Sequence, residues 1–238
     1  IALPTDHFNT VLWSGDSSYP RSITGTGFAT DLLWFKPRNQ TYDNIVLDSV
    51  RGLGSGNDKA IVTNLNSAEG ESSGNFNVSS FDSGGFTMAS PSGTDTQNAT
   101  GDTYVGWNWK AGGTAVSNGD GSITSSVSAN TTAGFSIVSY TGTGATATVG
   151  HGLSQTPELI IFKNLLDVDD WSVYSEPVGN TAGMFLNATN APDTDSGYYN
   201  DTSPTASIFT VGSQNRTNGS SNAMIAYAFH SIEGYSKV

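Results

Sequence analysis

Apolar residues fall along this chain in short runs: LLWFK from Leu32, NIVLDSV from Asn44, TYVGWNWK from Thr103, FSIVSY from Phe135, ELIIFK from Glu158, WSVYS from Trp171, SIFTVG from Ser207 and AMIAYAF from Ala223. The runs are rich in β-branched and aromatic residues, which fit a pleated surface. Clusters of Gly, Asn, Asp, Ser and Pro, such as 82–85 and 190–197, separate them and demand turns. Within TYVGWNWK, Tyr104, Gly106 and Asn108 alternate with Val105, Trp107 and Trp109, the period of two that marks a strand. Nowhere do apolar residues recur at helical spacing over three turns. The pattern predicts an all-β chain with antiparallel pairing.

The pattern is also laid down twice. Phe8, Val11, Trp13 and Gly15 recur as Phe135, Val138, Tyr140 and Gly142; DLLWFK at 31–36 recurs as ELIIFK at 158–163, and 44–52 recurs as 171–179, all at one constant spacing. Later blocks follow at shorter spacing: Phe86-Thr87 with Phe209-Thr210, then Asn98 through TYVGWNWK with Asn218 through AMIAYAFH. Ordered blocks of this kind mark a tandem duplication. The expected organisation is a first β-sandwich at 7–112, a Gly/Ser/Thr-rich connector at 113–133 and a second β-sandwich at 134–233. Ile123 and Val127 allow the connector to add a strand. Residues 234–238 resemble the opening of the second copy and are expected to begin a truncated third repeat, in a fragment of a longer protein. About 100 residues of strands per copy suit two-sheet antiparallel β-sandwich modules, jelly-roll or lectin-like in type. The simpler alternative is one large sandwich shared by both copies.

Composition narrows the function classes. The 238 residues carry 21 acidic and 9 basic side chains, a formal charge of −12, which opposes binding to nucleic acid. Ser, Thr, Asn and Gly together number 108, so the expected surface is polar but largely uncharged. The absence of Cys removes disulfides, thiolate nucleophiles and Cys-ligated zinc. No apolar run is long enough for a spanning helix, so no membrane insertion is expected.

Candidate chemistry is sparse. The repeated rings at Trp13/Tyr140, Trp34/Ile161, Trp107/Tyr227 and Trp109/Phe229 keep bulk and lose identity between copies, which suits packing. Trp171 has Asn44 as its counterpart and follows the acidic run Asp167–Asp170, and Tyr198 and Tyr199 lie in a long polar loop, so these three rings are the candidate ligand-stacking groups. Asp167, Asp169 and Asp170 are candidate ligands of a surface calcium; Asp193, Asp195 and Asp201 form a second such group. The EF-hand-like centre 118–124 lacks carboxylates at the first and twelfth ligand positions, where Val116 and Val127 stand, and reads as a turn. His7, His151 and His230 are the available bases, but no nucleophile elbow precedes a helix, and no catalytic carboxylate pair is identifiable by spacing alone. No other cofactor is expected.

The blocks SITGTGFATDLLWFKPRN, DSVRG, SFDSGGFTM, TYVGWNWKAGG, TAGFSIVSYTGTG, TVGHGLSQTPELIIFKN and AFHSIEGYSKV resemble, over 7–238, tandem-repeat proteins of marine tailed bacteriophages. The resemblance implies a virion appendage or tail-fibre-like protein and brings no catalytic motif. The leading expectation is therefore a non-enzymatic virion structural protein, extracellular on the particle as tail fibre, spike or capsid decoration. Its expected partners are other virion proteins and further copies of itself in a homo-oligomer. A lectin-like adhesin for host surface polysaccharide, using Trp171, Tyr198 and Tyr199, is the alternative, and a glycan depolymerase is the third reading.

Overall fold

The computed structural model describes residues 3–55, 58–71 and 76–238. The first half contributes β1 (Phe8–Ser14), β2 (Arg21–Thr24), β3 (Leu32–Pro37), β4 (Ile45–Asp48), β5 (Ile61–Val62), β6 (Val78–Asp82), β7 (Gly85–Met88) and β8 (Thr103–Trp109). The second contributes β9 (Val116–Asn118), β10 (Ser125–Asn130), β11 (Phe135–Thr141), β12 (Ala147–Gly150), β13 (Leu159–Asn164), β14 (Ser172–Ser175), β15 (Ala182–Phe185), β16 (Asp193–Thr194), β17 (Ile208–Val211) and β18 (Ala223–Phe229). A 3-10 turn at Pro4–Asp6 and a single helical turn, α1 (Asn215–Asn218), are the helical elements among the described residues. Every pairing between these strands is antiparallel.

One strand order appears twice. The first half forms a sheet β1-β8-β3-β4-β5, facing a smaller sheet β2-β7-β6. In the second half β11-β18-β13-β14-β15 repeats the first order and β12-β17 repeats β2-β7. The larger sheet there is extended by β16 at one edge and by β10 and β9 at the other. The segment expected as a connector thus supplies two strands, with Val127 of β10 opposite Val138 of β11. Residues 234–238 close a tight turn, with Ile232 bridged to Ser236.

The same bonds hold both halves. Gly15 donates its backbone N–H to the Asp102 carbonyl at 2.8 Å, and Gly142 donates to the Asn222 carbonyl at 2.9 Å. A Cβ at Gly15 would lie 2.0 Å from the Ala99 carbonyl oxygen, and one at Gly142 would lie 2.2 Å from that of Gly219, so close approach of two backbones requires glycine at both places. Fully buried Asn98 and Asn218 accept, at Oδ1, the N–H of Asp16 and of Thr143. Trp13 and Tyr140 differ in chemistry, yet the indole N–H of one donates to the Gln97 carbonyl and the hydroxyl of the other to that of Thr217. What the repeat keeps at this position is a ring with a donor at its tip.

Three apolar clusters follow from the alternation of side chains. Val11, Trp13, Leu33, Phe35 and Tyr104 of the larger first-half sheet pack against Ile23, Phe86 and Met88 of the smaller one. Val138, Tyr140, Ile160, Phe162 and Met224 meet Val149, Phe209 and Val211 in the second half. The third cluster joins the opposite faces of the two large sheets: Leu32, Val46 and Ile61 against Phe135, Ile137, Ile225, Tyr227 and Trp171, with Trp34, Trp109, Ile161 and Phe229 partly buried around them. The strands β3 and β13 therefore meet apolar neighbours on both faces, which is why LLWF and LIIF read as unbroken apolar runs. On β8 the small and polar side chains of Gly106 and Asn108 point to the inner core, where a Cβ on Gly106 would already crowd Leu33 and Trp13, while the rings of Trp107 and Trp109 lie on the other face. These rings are half-buried, so the bulk expected inside the first copy lies instead toward the seam between halves.

Candidate functional site

The seam and the loops at its rim hold most of the chemistry. Trp171, just ahead of β14, is 1% exposed, and its indole N–H donates 2.9 Å to the carbonyl of Val62 in the other half. Tyr198 and Tyr199 are 0% and 2% exposed and sit in the second-half core, with Tyr199 against Phe162 and Tyr174. The expectation that these three rings stack on a ligand is thereby corrected. A polar loop sequence hid them, but the chain between β16 and β17 folds back over the core and turns both tyrosines inward. Burial raises the Tyr198 hydroxyl to about 12, with Asp193 adding to the rise. Burial likewise raises that of Tyr199.

The acidic run is also spent on structure. Asp167 Oδ2 accepts from Asn215 at 2.8 Å and Asn222 at 2.7 Å, and these amides hold its carboxyl below the usual range. Asp169 accepts from Arg216 Nε at 2.8 Å and from Asn215 at 2.9 Å. Asp170 accepts from Asn187 at 2.8 Å and lies 3.5 Å from Arg216 Nη2. Among the described residues no group of three or more His, Asp or Glu side chains is arranged to hold a metal. Asp167, Asp169 and Asp170 are thus tied to amides and a guanidinium. In the second acidic group, Asp193 accepts from the Tyr198 hydroxyl at 3.0 Å and Asp195 from Gln214 and the Gly197 N–H.

Arg216 organises this corner. Its guanidinium lies 5.0 Å from the centre of the Phe185 ring, bonds Asp169, and donates 3.0 Å to the Tyr198 hydroxyl. Arg216, Phe185, Asp170 and Asp193 line a cleft of about 500 Å³ with Asn190, Ala191 and Pro192. Two carboxylates on one cleft are the constellation of a glycoside hydrolase; here Asp170 lies beside Arg216 and Asp193 accepts from the Tyr198 hydroxyl.

Two buried cations lie at the seam, and Lys163 bonds across it. Lys163 is fully buried and its Nζ donates to the carbonyls of Asn66 at 3.2 Å, Asp167 at 3.5 Å and Asp169 at 2.7 Å. Burial lowers its pKa to about 8 against the pull of Asp169, Asp170 and Asp167. Arg51 pairs with Asp48 at 2.5 Å and Glu69 at 2.8 Å. Burial opposes its charge, yet Asp48, Tyr227 and Glu69 hold its pKa above the ordinary value. Sequence reading missed both: Lys163 stands near the end of the apolar run of β13 and Arg51 in a polar turn, and neither carries a local sign of its partners.

A second concavity opens at the rim of the seam. Trp34, Asn44, Thr63 and Asn64 from the first half face Leu186, Asn187, Ala188 and Thr189 from the second across a groove of about 300 Å³. It continues inward as a narrow apolar crevice past Val46, Trp109 and Tyr227.

The profile of a family described as a domain of unknown function, DUF7483, matches residues 3–238, and the chain belongs to that family. The match runs through both halves and the seam between them. No curated protein and no solved structure gives a significant match.

Proposed function

We propose that the chain is a pair of tandem antiparallel β-sandwich modules serving as a structural, non-enzymatic element of a bacteriophage surface: a tail fibre, spike or capsid decoration, extracellular on the virion and assembled with other virion proteins and with further copies of itself. The observation that carries this reading is the seam, in which the ring-rich faces of both large sheets are consumed in packing one half on the other. Such a pair is a stiff display unit whose exposed area is polar and whose net charge of −12 discourages adhesion to nucleic acid. Its sequence resemblance to phage appendage proteins agrees with that use. Mass spectrometry and antibody labelling of purified particles test it: the chain is expected in intact virions with label on their surface, and its absence from purified particles would overturn the reading.

A depolymerase is the second reading, favoured by Asp170 and Asp193 on one cleft. Release of reducing ends from host surface polysaccharide by the wild type, lost in Asp193→Asn, would establish it in place of the first.

A further inference from the structure

We propose that the groove at the rim of the seam is a binding site for an uncharged saccharide. Trp34 supplies the platform. It is half-buried on β3, and Trp107 supports it edge-on, with ring centres 6.4 Å apart and planes at 77°. A flat ring held in one orientation stacks on the C–H face of a sugar at little entropic cost.

The walls are held as firmly. Asn64 accepts the Asn44 N–H at 2.8 Å and donates to Asp43 at 2.9 Å. Across the groove, Asn187 accepts the Trp171 N–H at 2.9 Å, and the Leu186 N–H donates to the Trp171 carbonyl at 3.1 Å. The second wall hangs on Trp171 of the seam, and neither half alone forms the groove.

An independent observation points to an occupant. Thr63 lines both the groove and the crevice below it, is 4% exposed, and its buried hydroxyl has no hydrogen-bond partner among the described residues. A buried polar atom without a partner is costly, and this one gains a partner when the wall of the crevice opens to a ligand hydroxyl. A sugar hydroxyl can both donate to it and accept from it.

Charge selects the class of sugar. No Asp, Glu, Lys, Arg or His lines the groove or the crevice, so a charged group would find no counterion there. The overall charge of −12 further disfavours uronate or phosphorylated polymers. A volume of about 300 Å³ lies at the small end of ligand sites and fits a short stretch of chain. The inference draws on the surface-display reading only for its biological purpose. Its test uses the purified chain, so either can fail alone.

The test titrates the protein with neutral hexasaccharides of glucose, galactose, mannose and N-acetylglucosamine, and with oligogalacturonate, by calorimetry and by shifts of the tryptophan indole signals. At least one neutral sugar is expected to bind with Kd near or below ~1 mM and to shift Trp34 more than Trp13, while oligogalacturonate does not bind. Trp34→Ala is expected to weaken binding ~10-fold, and Thr63→Val a few-fold, at unchanged folding by circular dichroism. Leu12→Ala, at an exposed position on β1, is expected to leave binding unchanged. Failure of every neutral sugar at ~10 mM, equal binding by Trp34→Phe and Thr63→Val combined, or preference for oligogalacturonate would overturn the proposal.

Discussion

The Tyr227 hydroxyl donates a 2.7 Å hydrogen bond to Oδ2 of Asp48, a residue 179 positions away in the other half, and that carboxylate also accepts from Arg51 Nε. All three side chains are buried, so the seam encloses an ion pair completed by a phenol. Tyr227→Phe removes one donor and is expected to cost about 1–3 kcal/mol in urea unfolding. Asp48→Asn leaves Glu69 as the remaining carboxylate on the buried Arg51 and is expected to cost more, about 3–5 kcal/mol. Equal effects of the two variants would show that the ion pair contributes nothing beyond the hydroxyl.

Lys163 gives a test with a pH signature. Lys163→Met leaves the carbonyls of Asn66, Asp167 and Asp169 without its ammonium and is expected to lower stability by about 2–4 kcal/mol at pH 7. The folded lysine releases its proton near pH 8, and the unfolded one near its ordinary 10.5. Between these values the unfolded chain binds more protons, so the wild type gains stability as pH rises through that window and Lys163→Met does not. Denaturation midpoints at pH 7.5 and 10 check the difference in slope.

How much of this was readable beforehand depends on the range of the interaction. Period-two alternation in 103–109 and the recurrence of Phe8, Trp13 and Gly15 as Phe135, Tyr140 and Gly142 report local geometry, and the strands and their repeated order followed from them. Trp171 shows where such reading ends. Its mismatch with Asn44 marked it as special, but only the fold shows that the special partner is the Val62 carbonyl of the other half. The polar loop around Tyr198 and Tyr199 misled for a related reason: composition describes a segment's average, and burial is decided one side chain at a time. Thr63 and Trp34 were assembled into one groove by the seam, which no single segment encodes.

Trp171→Ala is expected to act as a core deletion. It removes a buried indole and the bond to Val62, so a loss of about 3–5 kcal/mol is expected. Differential scanning calorimetry measures it; a change below about 1 kcal/mol would contradict the packing described for the seam.

His151 should set part of the acid sensitivity. It is fully buried, donates from Nε2 to the Thr205 carbonyl and accepts the Leu153 N–H at Nδ1, so the fold holds it neutral. Burial lowers its pKa from 6.5 to about 4. The unfolded state therefore takes up a proton first, and stability is lost as pH falls from about 6.5 towards 4, by on the order of 3 kcal/mol. His151→Gln is expected to flatten that part of the profile, which urea titrations at pH 6.5, 5.5 and 4.5 resolve.

The paired glycines offer a matched comparison. Gly15→Ala and Gly142→Ala each drive a methyl group into a carbonyl oxygen at the same point of the framework, and each is expected to destabilise by more than about 2 kcal/mol. Similar losses from both would show that the two close approaches matter alike; thermal denaturation of the pair decides.

The Asp48–Tyr227 contact also makes the halves non-interchangeable. In the register of the repeat, Ser175 stands where Asp48 does and Trp107 where Tyr227 does. Two first halves in succession would offer an indole to the carboxylate, and two second halves would offer a hydroxyl to a serine. The contact therefore gives the chain a left and a right, as in a lock and its latch, and recombination that replaced one half by the other would lose the fit.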